Sequence, residues 1–516
     1  MSLARDVTTV GSATLLSRLL GFLREVLIAA VLGAGALSDA YFAALQIPNL
    51  FRRLLAEGAL NAAFVPMWLR IRDRDGADAA RRFGENVLGP MILGLGIVAI
   101  AGVVLAPALV RIIAPGFSPG SERFLLAVDY VRLSVPYIAI AGVVAVAASV
   151  LNAERRMGAA AFGIVIFNGV VIAAIVLVIA SGADATPATG WVLSAVVVVA
   201  GVAQLLLVGA AMLRLPSAPR RPRLGGASET RTFFARAVPG LLAAGIPQLT
   251  LMAGTVVASS SEAAVSWLTY AYRLYELPLG VVSIAIASAI VPAIAASVRA
   301  ADADRIGQAQ SRAFEIALGL SLPAALALAL LAPEIAGVLF ERGAFGTRDT
   351  AAVAAALAAI CAGLPGHALE KVFGAVSFAH ENTRTPMLAA LAGLVAAVLG
   401  ALLLFPAFGH VGVAAAIALA GWVGPSLLGV ALARRRWLAG DRNLVGRLAG
   451  IVMAAVVMGV AVFALKVLLS GQDSTIGHIA VLAVLVVTGL ATYGVALQLF
   501  GVARLNALLA SVRNRA

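Results

Sequence analysis

MLAALAGLVAAVLGALLL (Met387–Leu404) and GVAAAIALAGWVGPSLLG (Gly412–Gly429) are two runs of 18 residues without one charged side chain. A helix that crosses the hydrocarbon core of a bilayer needs about 20 mostly apolar residues. Both runs mix Leu, Ala, Val and Gly and lack the period-two alternation of an outer-membrane strand. Similar runs recur along the chain, and fourteen candidate spans are centred near residues 20, 52, 98, 138, 168, 200, 245, 280, 320, 360, 395, 421, 457 and 490. The first two are the least apolar, because both carry charge. The connections are short, so no soluble domain is inserted.

Composition agrees with the runs. Of 516 residues 62% are hydrophobic and 12% charged, with a mean hydropathy of +1.01. A soluble domain is roughly half apolar and a quarter charged. This excludes a soluble enzyme, a disordered chain and a nucleic-acid binder, despite a net charge of +13. Cys361 is the only cysteine, so no intrachain disulfide and no multi-cysteine metal site is expected. The four histidines, His367, His380, His410 and His478, form no cluster in sequence. Arg18 and Arg24 interrupt the first apolar stretch, which therefore does not read as a cleavable signal peptide.

Basic residues orient a polytopic protein, since Lys and Arg gather in cytoplasmic loops. With the N-terminus inside, the inner segments hold 26 of the 38 Lys and Arg, the outer loops four and the spans eight. The four outside are Arg111, Arg123, Arg342 and Arg348. A bias repeated at every loop pair predicts an even number of spans and two cytoplasmic termini.

Two halves of the chain match at an offset near 228: Pro48 with Pro278, Pro66 with Pro292, Phe83 with Phe314, Phe117 with Phe345 and Glu154 with Glu381. The expected fold is an all-α polytopic membrane protein of about fourteen helices, in two pseudo-symmetric six-helix lobes plus two extra C-terminal helices. The N-terminal lobe takes residues 1–215, and PSAPRRPRLGGAS, residues 216–228, reads as a cytoplasmic linker. The C-terminal lobe takes residues 229–438, and the extra pair takes 439–516. An even number of spans per copy makes the copies parallel, and such two-lobed proteins work by rocking around a central site.

An arginine at mid-membrane costs roughly 2.5–3.5 kcal/mol, so it persists only against a partner or a polar cavity. The eight basic residues within spans are Arg18, Arg24, Arg52, Arg53, Arg132, Arg273, Lys371 and Lys466, and the acids are Glu25, Asp39, Glu57, Asp129, Glu276 and Glu370. Ser17, Gly21 and Arg24 share one helix face, while Arg18 and Glu25 share a neighbouring one. Arg53 and Glu57 are spaced to pair, which leaves Arg52 the freer charge. Glu276 is placed to orient Arg273. Arg24, Arg52 and Arg273 come from both lobes, and three guanidiniums suit a phosphate or pyrophosphate. Arg18 is read as a ligand contact or a gate. Arg53, Asp39, Arg132 and Asp129 are read as structural ion pairs, and Lys466 as snorkelling to the outer interface. Glu370 and Lys371, beside His367, read equally as a proton relay or as interhelical pairing.

SRLLGFLRE (Ser17–Glu25), SDAYFAALQIPNLFRRLLAEGALNAAFVP (Ser38–Pro66), APGF (Ala114–Phe117), YRLYELPLGV (Tyr272–Val281), RGAF (Arg342–Phe345) and TRTP (Thr383–Pro386) occur in that order. In this the chain resembles the MurJ (MviN) lipid II flippases of the multidrug/oligosaccharidyl-lipid/polysaccharide exporter superfamily. The resemblance covers nearly the whole chain, and the Ser38–Pro66 block is its most specific part. It implies a monomeric, non-enzymatic transporter of the bacterial inner membrane, active in peptidoglycan synthesis and cell-shape maintenance, without cofactor or metal. Its partners would be lipid II, an undecaprenyl-pyrophosphoryl disaccharide-pentapeptide, and membrane lipids. The family's cavity arginines fall on Arg18, Arg24, Arg52 and Arg273, and its outer-end acid on Asp39. Its extra helix pair is associated with a lipid-tail groove.

Two departures bear on mechanism. Position 272 is Tyr where some relatives carry an acid, so a local partner of Arg273 must come from elsewhere, with Glu276 the nearest. Some relatives hold sodium with acidic and amide groups of spans seven, eleven and twelve. Here LLAAGIPQLTLMAGTVVA, residues 241–258, and the two runs quoted first contain no Asp, Glu or Asn. A hard cation needs several oxygen ligands, usually including a carboxylate, so no sodium site is expected. The rival readings are a flippase for another polyprenyl-pyrophosphate-linked glycan and a drug/cation antiporter of the same superfamily, which would want acids in its cavity. A polyprenyl-phosphate phosphotransferase would need paired carboxylates or a nucleophilic histidine near the phosphate; the chain has no DDxxD, and its one DxxD, Asp75–Asp78, lies in an arginine-rich loop outside the spans. A scaffold would have no use for arginines at membrane depth.

Overall fold

The computed structural model describes residues 2–56, 59–182, 185–225, 228–469 and 475–502. Every regular element among them is helical. The chain runs through α1 (Ser2–Leu32), α2 (Ala36–Ala56), α3 (Ala59–Asp75), α4 (Ala77–Val104), α5 (Ala106–Ile113), α6 (Glu122–Ser134), α7 (Tyr137–Ala153), α8 (Met157–Ala180), α9 (Pro187–Leu213) and α10 (Ser228–Ala258). It continues through α11 (Ala264–Ala285), α12 (Val291–Arg299), α13 (Ala303–Leu330), α14 (Ala332–Phe340), α15 (Thr347–Cys361), α16 (Leu364–Ala379), α17 (Arg384–Arg434), α18 (Leu444–Leu468) and α19 (Thr475–Leu499).

Among the described residues, ten helical stretches are long and apolar enough to cross a membrane. One of them, α17, has 51 residues, and its backbone leaves the helical region at Gly409 (φ 55°, ψ −138°). A left-handed φ of this kind is open to glycine without steric cost. The spans expected near 395 and 421 are therefore two helices meeting at one bend. Those expected near 20, 52 and 245 fall on α1, α2 and α10. The first two carry charge, and α10 contributes only the shorter apolar stretch Gly245–Ala258. Apolarity alone thus stops short of fourteen. Large apolar side chains such as Leu403, Val445, Leu468 and Leu499 are exposed, as lipid-facing residues are.

Helix breaks recur at the repeat offset. LAP separates α4 from α5 at Leu105, and LAP separates α13 from α14 at Leu331. Pro136 divides α6 from α7, and Pro365 opens α16 after α15. Proline causes these breaks because it has no N–H to give the preceding turn. The same chemistry makes Ile286–Ile290 a π-turn between α11 and α12, since Pro292 follows it.

The chain forms two compact units, Met1–Ser266 with Arg342–Gly346, and Trp267–Glu341 with Thr347–Ala516. In the first, α8 packs on α1 and α9, α7 on α4 and α9, and α10 on α2 and α3. Its inner core stacks Phe64 on Trp68 at 5.5 Å and sets Phe83 and Phe233 around Phe64 at 5.3 and 6.0 Å. In the second, α13 packs on α16 and α18, α17 on α15 and α16, and α18 on α19. The division falls inside α11. The repeat copies and the compact units are thus different partitions of the chain.

The arginine-rich linker is clamped. Glu85 of α4 is buried, its side chain pairs with Arg223 Nε at 2.8 Å, and its carbonyl accepts the Arg223 N–H at 3.0 Å. Gly89 lies against the Arg223 backbone with no room for a Cβ. Glu154 accepts from Trp68 Nε1, Arg72 and Ser217 at 3.0, 3.1 and 3.2 Å. In the second unit, Arg447 donates to Glu315 and Asp441, both at 2.6 Å. That bond holds the exposed Asp441 carboxyl below its usual range.

Candidate functional site

Within the first unit, α1 and α8 build a polar point in an apolar setting. Arg24 Nη2 donates to Glu25 Oε1 at 2.7 Å, and Arg24 Nη1 donates to Asn168 Oδ1 at 3.1 Å. Asn168 Nδ2 in turn donates to the Ser17 carbonyl at 3.2 Å. Gly21 leaves the room in which the Asn168 amide lies against α1. The face Ser17–Gly21–Arg24 is thus the one that receives α8. Arg24 does have a local partner, which corrects the expectation that it stands alone. Adjacent residues on a helix point about 100° apart, but the long guanidinium swings back to the carboxylate beside it. Glu25 engages Arg24 and not, as the spacing suggested, Arg18, which lies exposed. One nitrogen, Arg24 Nε, is buried without a hydrogen bond among the described residues.

Arg52 and Arg53 are half-buried on α2. Arg52 and Arg24 both lie within electrostatic reach of the buried Tyr137 hydroxyl. Tyr137 packs on Phe167, one residue before Asn168, at 5.4 Å between ring centres. Glu57, the expected partner of Arg53, lies outside the described residues.

Asp39 sits near the start of α2, wholly buried. Its Oδ2 accepts the Ala263 N–H at 2.7 Å, and its Oδ1 accepts the Ser266 N–H at 2.9 Å and the Ser266 hydroxyl at 2.6 Å. It caps the N-terminus of α11, where free N–H groups and the helix dipole favour an anion. The ion pair expected of Asp39 is looser than this cap, with Arg123 Nη1 at 3.8 Å. Arg123 also lies 5.0 Å above the Phe117 ring.

APGF and RGAF, the tetrapeptides paired by the repeat, do the same job. Gly116 packs on the backbone of Ser259 and Ser260, and its N–H donates to Ser259 Oγ at 2.9 Å. Gly343, at φ 59°, packs on Ala30, and the Ala344 N–H donates to the Ala30 carbonyl at 2.9 Å. Each following phenylalanine, Phe117 and Phe345, is buried.

Within the second unit, Arg273 Nη1 pairs with Glu276 Oε2 at 3.0 Å, both about a quarter exposed. Tyr272 supplies no charge and packs on Tyr275, 5.6 Å between ring centres. Tyr275 meets His367 Nδ1 at 2.6 Å. Asp129 and Arg132 of α6 pair at 3.6 Å and are half exposed. Lys466, in the last turn of α18, binds Glu334 with its Nζ at 2.9 Å and the Leu330 carbonyl at 2.8 Å. Lys371 is exposed and Glu370 half-buried.

Asn168, Tyr137 and Tyr275 were not singled out in the sequence, although His367, the partner of Tyr275, was noted beside Glu370 and Lys371. Asn168 carried a signal, being the one amide in MGAAAFGIVIFNGVVIAAIVLVIA (Met157–Ala180). The tyrosines carried none.

Comparison with known proteins gives one family. A family model described as lipid II flippase MurJ matches residues 28–484. A probable lipid II flippase MurJ of Rhizobium meliloti (strain 1021) is 40% identical over 466 residues, covering 90% of this chain and 86% of that protein. One from Rhizobium tropici is 38% identical over 509 residues, covering 97% and 95%. A solved structure of lipid II flippase MurJ in an inward closed conformation superimposes with a TM-score of 0.79 at 22% identity, covering 95% of this chain and 98% of the other. An inward-facing multidrug resistance MATE transporter of the MOP superfamily gives 0.68 at 15% identity, covering 82% and 94%. At those identities the two structures speak for the fold.

Proposed function

We propose, from the premise that this chain belongs to the lipid II flippase MurJ family, that it carries lipid II from the cytoplasmic to the periplasmic leaflet of the bacterial inner membrane. The observation that carries the reading is the match over residues 28–484. The protein works as a transporter by alternating access, in fourteen spans with both termini cytoplasmic. The six-span copies, residues 1–215 and 229–438, are its moving parts, and residues 216–228 join them.

Arg24, Arg52 and Arg273 bind the pyrophosphate, with Arg18 as a further contact. Arg24 holds Glu25, and Arg273 holds Glu276. Each pair spares the membrane an uncompensated cation. A pyrophosphate oxygen takes the place of a carboxylate oxygen, so cargo exchanges one anion for another and binding stays reversible. Asn168 keeps the Arg24 fork oriented through that exchange. Asp39, holding the start of α11, is the gate element.

The test is flipping of fluorescent lipid II by the purified protein in proteoliposomes. Flipping of lipid II, with undecaprenyl phosphate lacking sugar left behind, supports the reading. Equal flipping of an unrelated polyprenyl-pyrophosphate glycan would favour a broader flippase, and no flipping of either would sink the proposal.

A further inference from the structure

We infer that Tyr275 and His367 form a proton-binding site in the second unit, whose occupancy reverses the hydrogen bond between α11 and α16 during transport. The inference rests on the transport reading and supplies the ion that the cycle draws on.

His367 lies in the first turn of α16. Its Nδ1 stands 2.6 Å from the Tyr275 hydroxyl oxygen and 3.1 Å from the Gly363 carbonyl oxygen. That carbonyl already accepts the His367 backbone N–H at 3.0 Å. A neutral imidazole has one donor and one acceptor nitrogen. With the phenol as donor in the shorter of the two contacts, Nδ1 is the acceptor and the ring proton sits on Nε2. Nε2 makes no hydrogen bond among the described residues.

A proton arriving at the Nδ1 lone pair forms an N–H bond and breaks none. The Tyr275 O–H rotates away, and its oxygen becomes an acceptor. The Gly363 carbonyl is a second acceptor already in place. Both protonation states are thus hydrogen-bonded without moving the ring, and only the direction of the bond changes. The seat is fixed from the other side by Gly421 of α17, where a Cβ would meet the imidazole at 2.5 Å.

The surroundings make room for the added charge. Glu370 and Lys371 act on the ring from α16 with opposite signs. Tyr272 and Glu276 of α11, with Cys361 of α15, act on Tyr275. The facing stretch of α17 contributes the uncharged Gly421. An imidazolium away from water needs a nearby counter-charge, and Glu370, three residues on along α16, is the carboxylate placed to act on it. Tyr275 lies between Arg273 and Glu276, so the bond reports directly on the turn that holds the Arg273–Glu276 pair.

Two measurements decide. In nanodiscs, ¹⁵N-histidine spectra assigned against His367→Gln should show His367 as the Nε2–H tautomer at pH 8 and doubly protonated at pH 5. Tyr275→Phe, which keeps the ring and removes the donor, should abolish the tautomer preference. A His367 that stays neutral throughout overturns the inference whatever the cargo is. In proteoliposomes with the potential clamped, one pH unit more acid on the periplasmic side should raise wild-type flipping of labelled lipid II several-fold. The bound is about ten-fold for one proton per cycle. That ratio should fall to about one in His367→Gln, His367→Asn and Tyr275→Phe, and persist in His478→Gln. A wild-type ratio of one, or a full ratio in the three variants, overturns the coupling. Absence of all flipping would strike the transport reading, and the spectra would still decide proton binding.

Discussion

Arg24 shows how a single side chain is both legible and misread. Its cost at membrane depth marked it as a site residue, yet its bonds to Glu25 and Asn168 could not be read from spacing. Helical periodicity ranks faces but does not follow a guanidinium that folds back to its neighbour, and one amide in an apolar run has no partner written beside it. Losing a charge-assisted hydrogen bond costs roughly 1.5–3 kcal/mol. Arg24→Ala should therefore weaken lipid II binding about ten-fold or more. Arg24→Lys should keep the charge, lose the fork and retain partial function. Asn168→Leu should leave the charge and cost several-fold, because the fork loses its support. Glu25→Gln should tighten cargo binding and slow its release, since the competing anion is gone. Binding by native mass spectrometry, with growth of a depletion strain at matched membrane levels, separates these outcomes. Equal binding by Arg24→Ala and the parent would assign the arginine a structural role.

At the scale of elements, composition predicted the linker and missed its docking. PSAPRRPRLGGAS is rich in Pro, Gly and Arg, and such segments are exposed and mobile when nothing holds them. Here Glu85 and Gly89 of α4 hold it, a contact between residues more than a hundred positions apart that no local pattern encodes. Helix breaks were legible for the opposite reason: each is caused by a proline or glycine at the break itself, as at Pro136, Pro365 and Gly409. The Arg223 side chain is half exposed, so its ion pair is worth little beyond the backbone bond. Glu85→Ala should accordingly speed trypsin cleavage after Arg220 or Arg223 only two- to three-fold (~0.5 kcal/mol). Gly89→Val, which puts a side chain into the strap's backbone, should speed it about ten-fold or more. Equal cleavage of all three proteins would mean that the segment does not stay docked. Gly343→Val combines a left-handed φ with a clash on Ala30 and should lower the yield of folded protein, read by size-exclusion of detergent extracts.

At the scale of the whole molecule, charge predicts topology and energetics together. From a bias of 26 inner against four outer basic residues, both ends of the chain and residues 216–228 are expected in the cytoplasm. Reporter fusions after Ser228 and Ala516 should both read inside, and a periplasmic reading at either would break the count of fourteen. The energy source follows from which spans lack acids. Residues 241–258, 387–404 and 412–429 offer no carboxylate and no Asn. Among the polar side chains here, Gln46 donates to Thr255, and Gln248 donates to Gln46, at 2.9 and 3.4 Å, while Gln248 Oε1 is buried without a hydrogen bond among the described residues. Sodium in a membrane protein must recover its hydration shell from several oxygens, usually including a carboxylate, and one neutral amide oxygen does not provide them. If the arginines bind the cargo as proposed, voltage would draw it, since one charge crossing 100 mV is worth about 2.3 kcal/mol. Replacing sodium by potassium at fixed potential and pH should leave the flipping rate unchanged. Collapsing the potential should slow it, with the residual rate set by any pH gradient. A large fall on sodium removal at constant potential would mean that a cation site exists on other residues, and that the arginines bind cargo without setting what drives it.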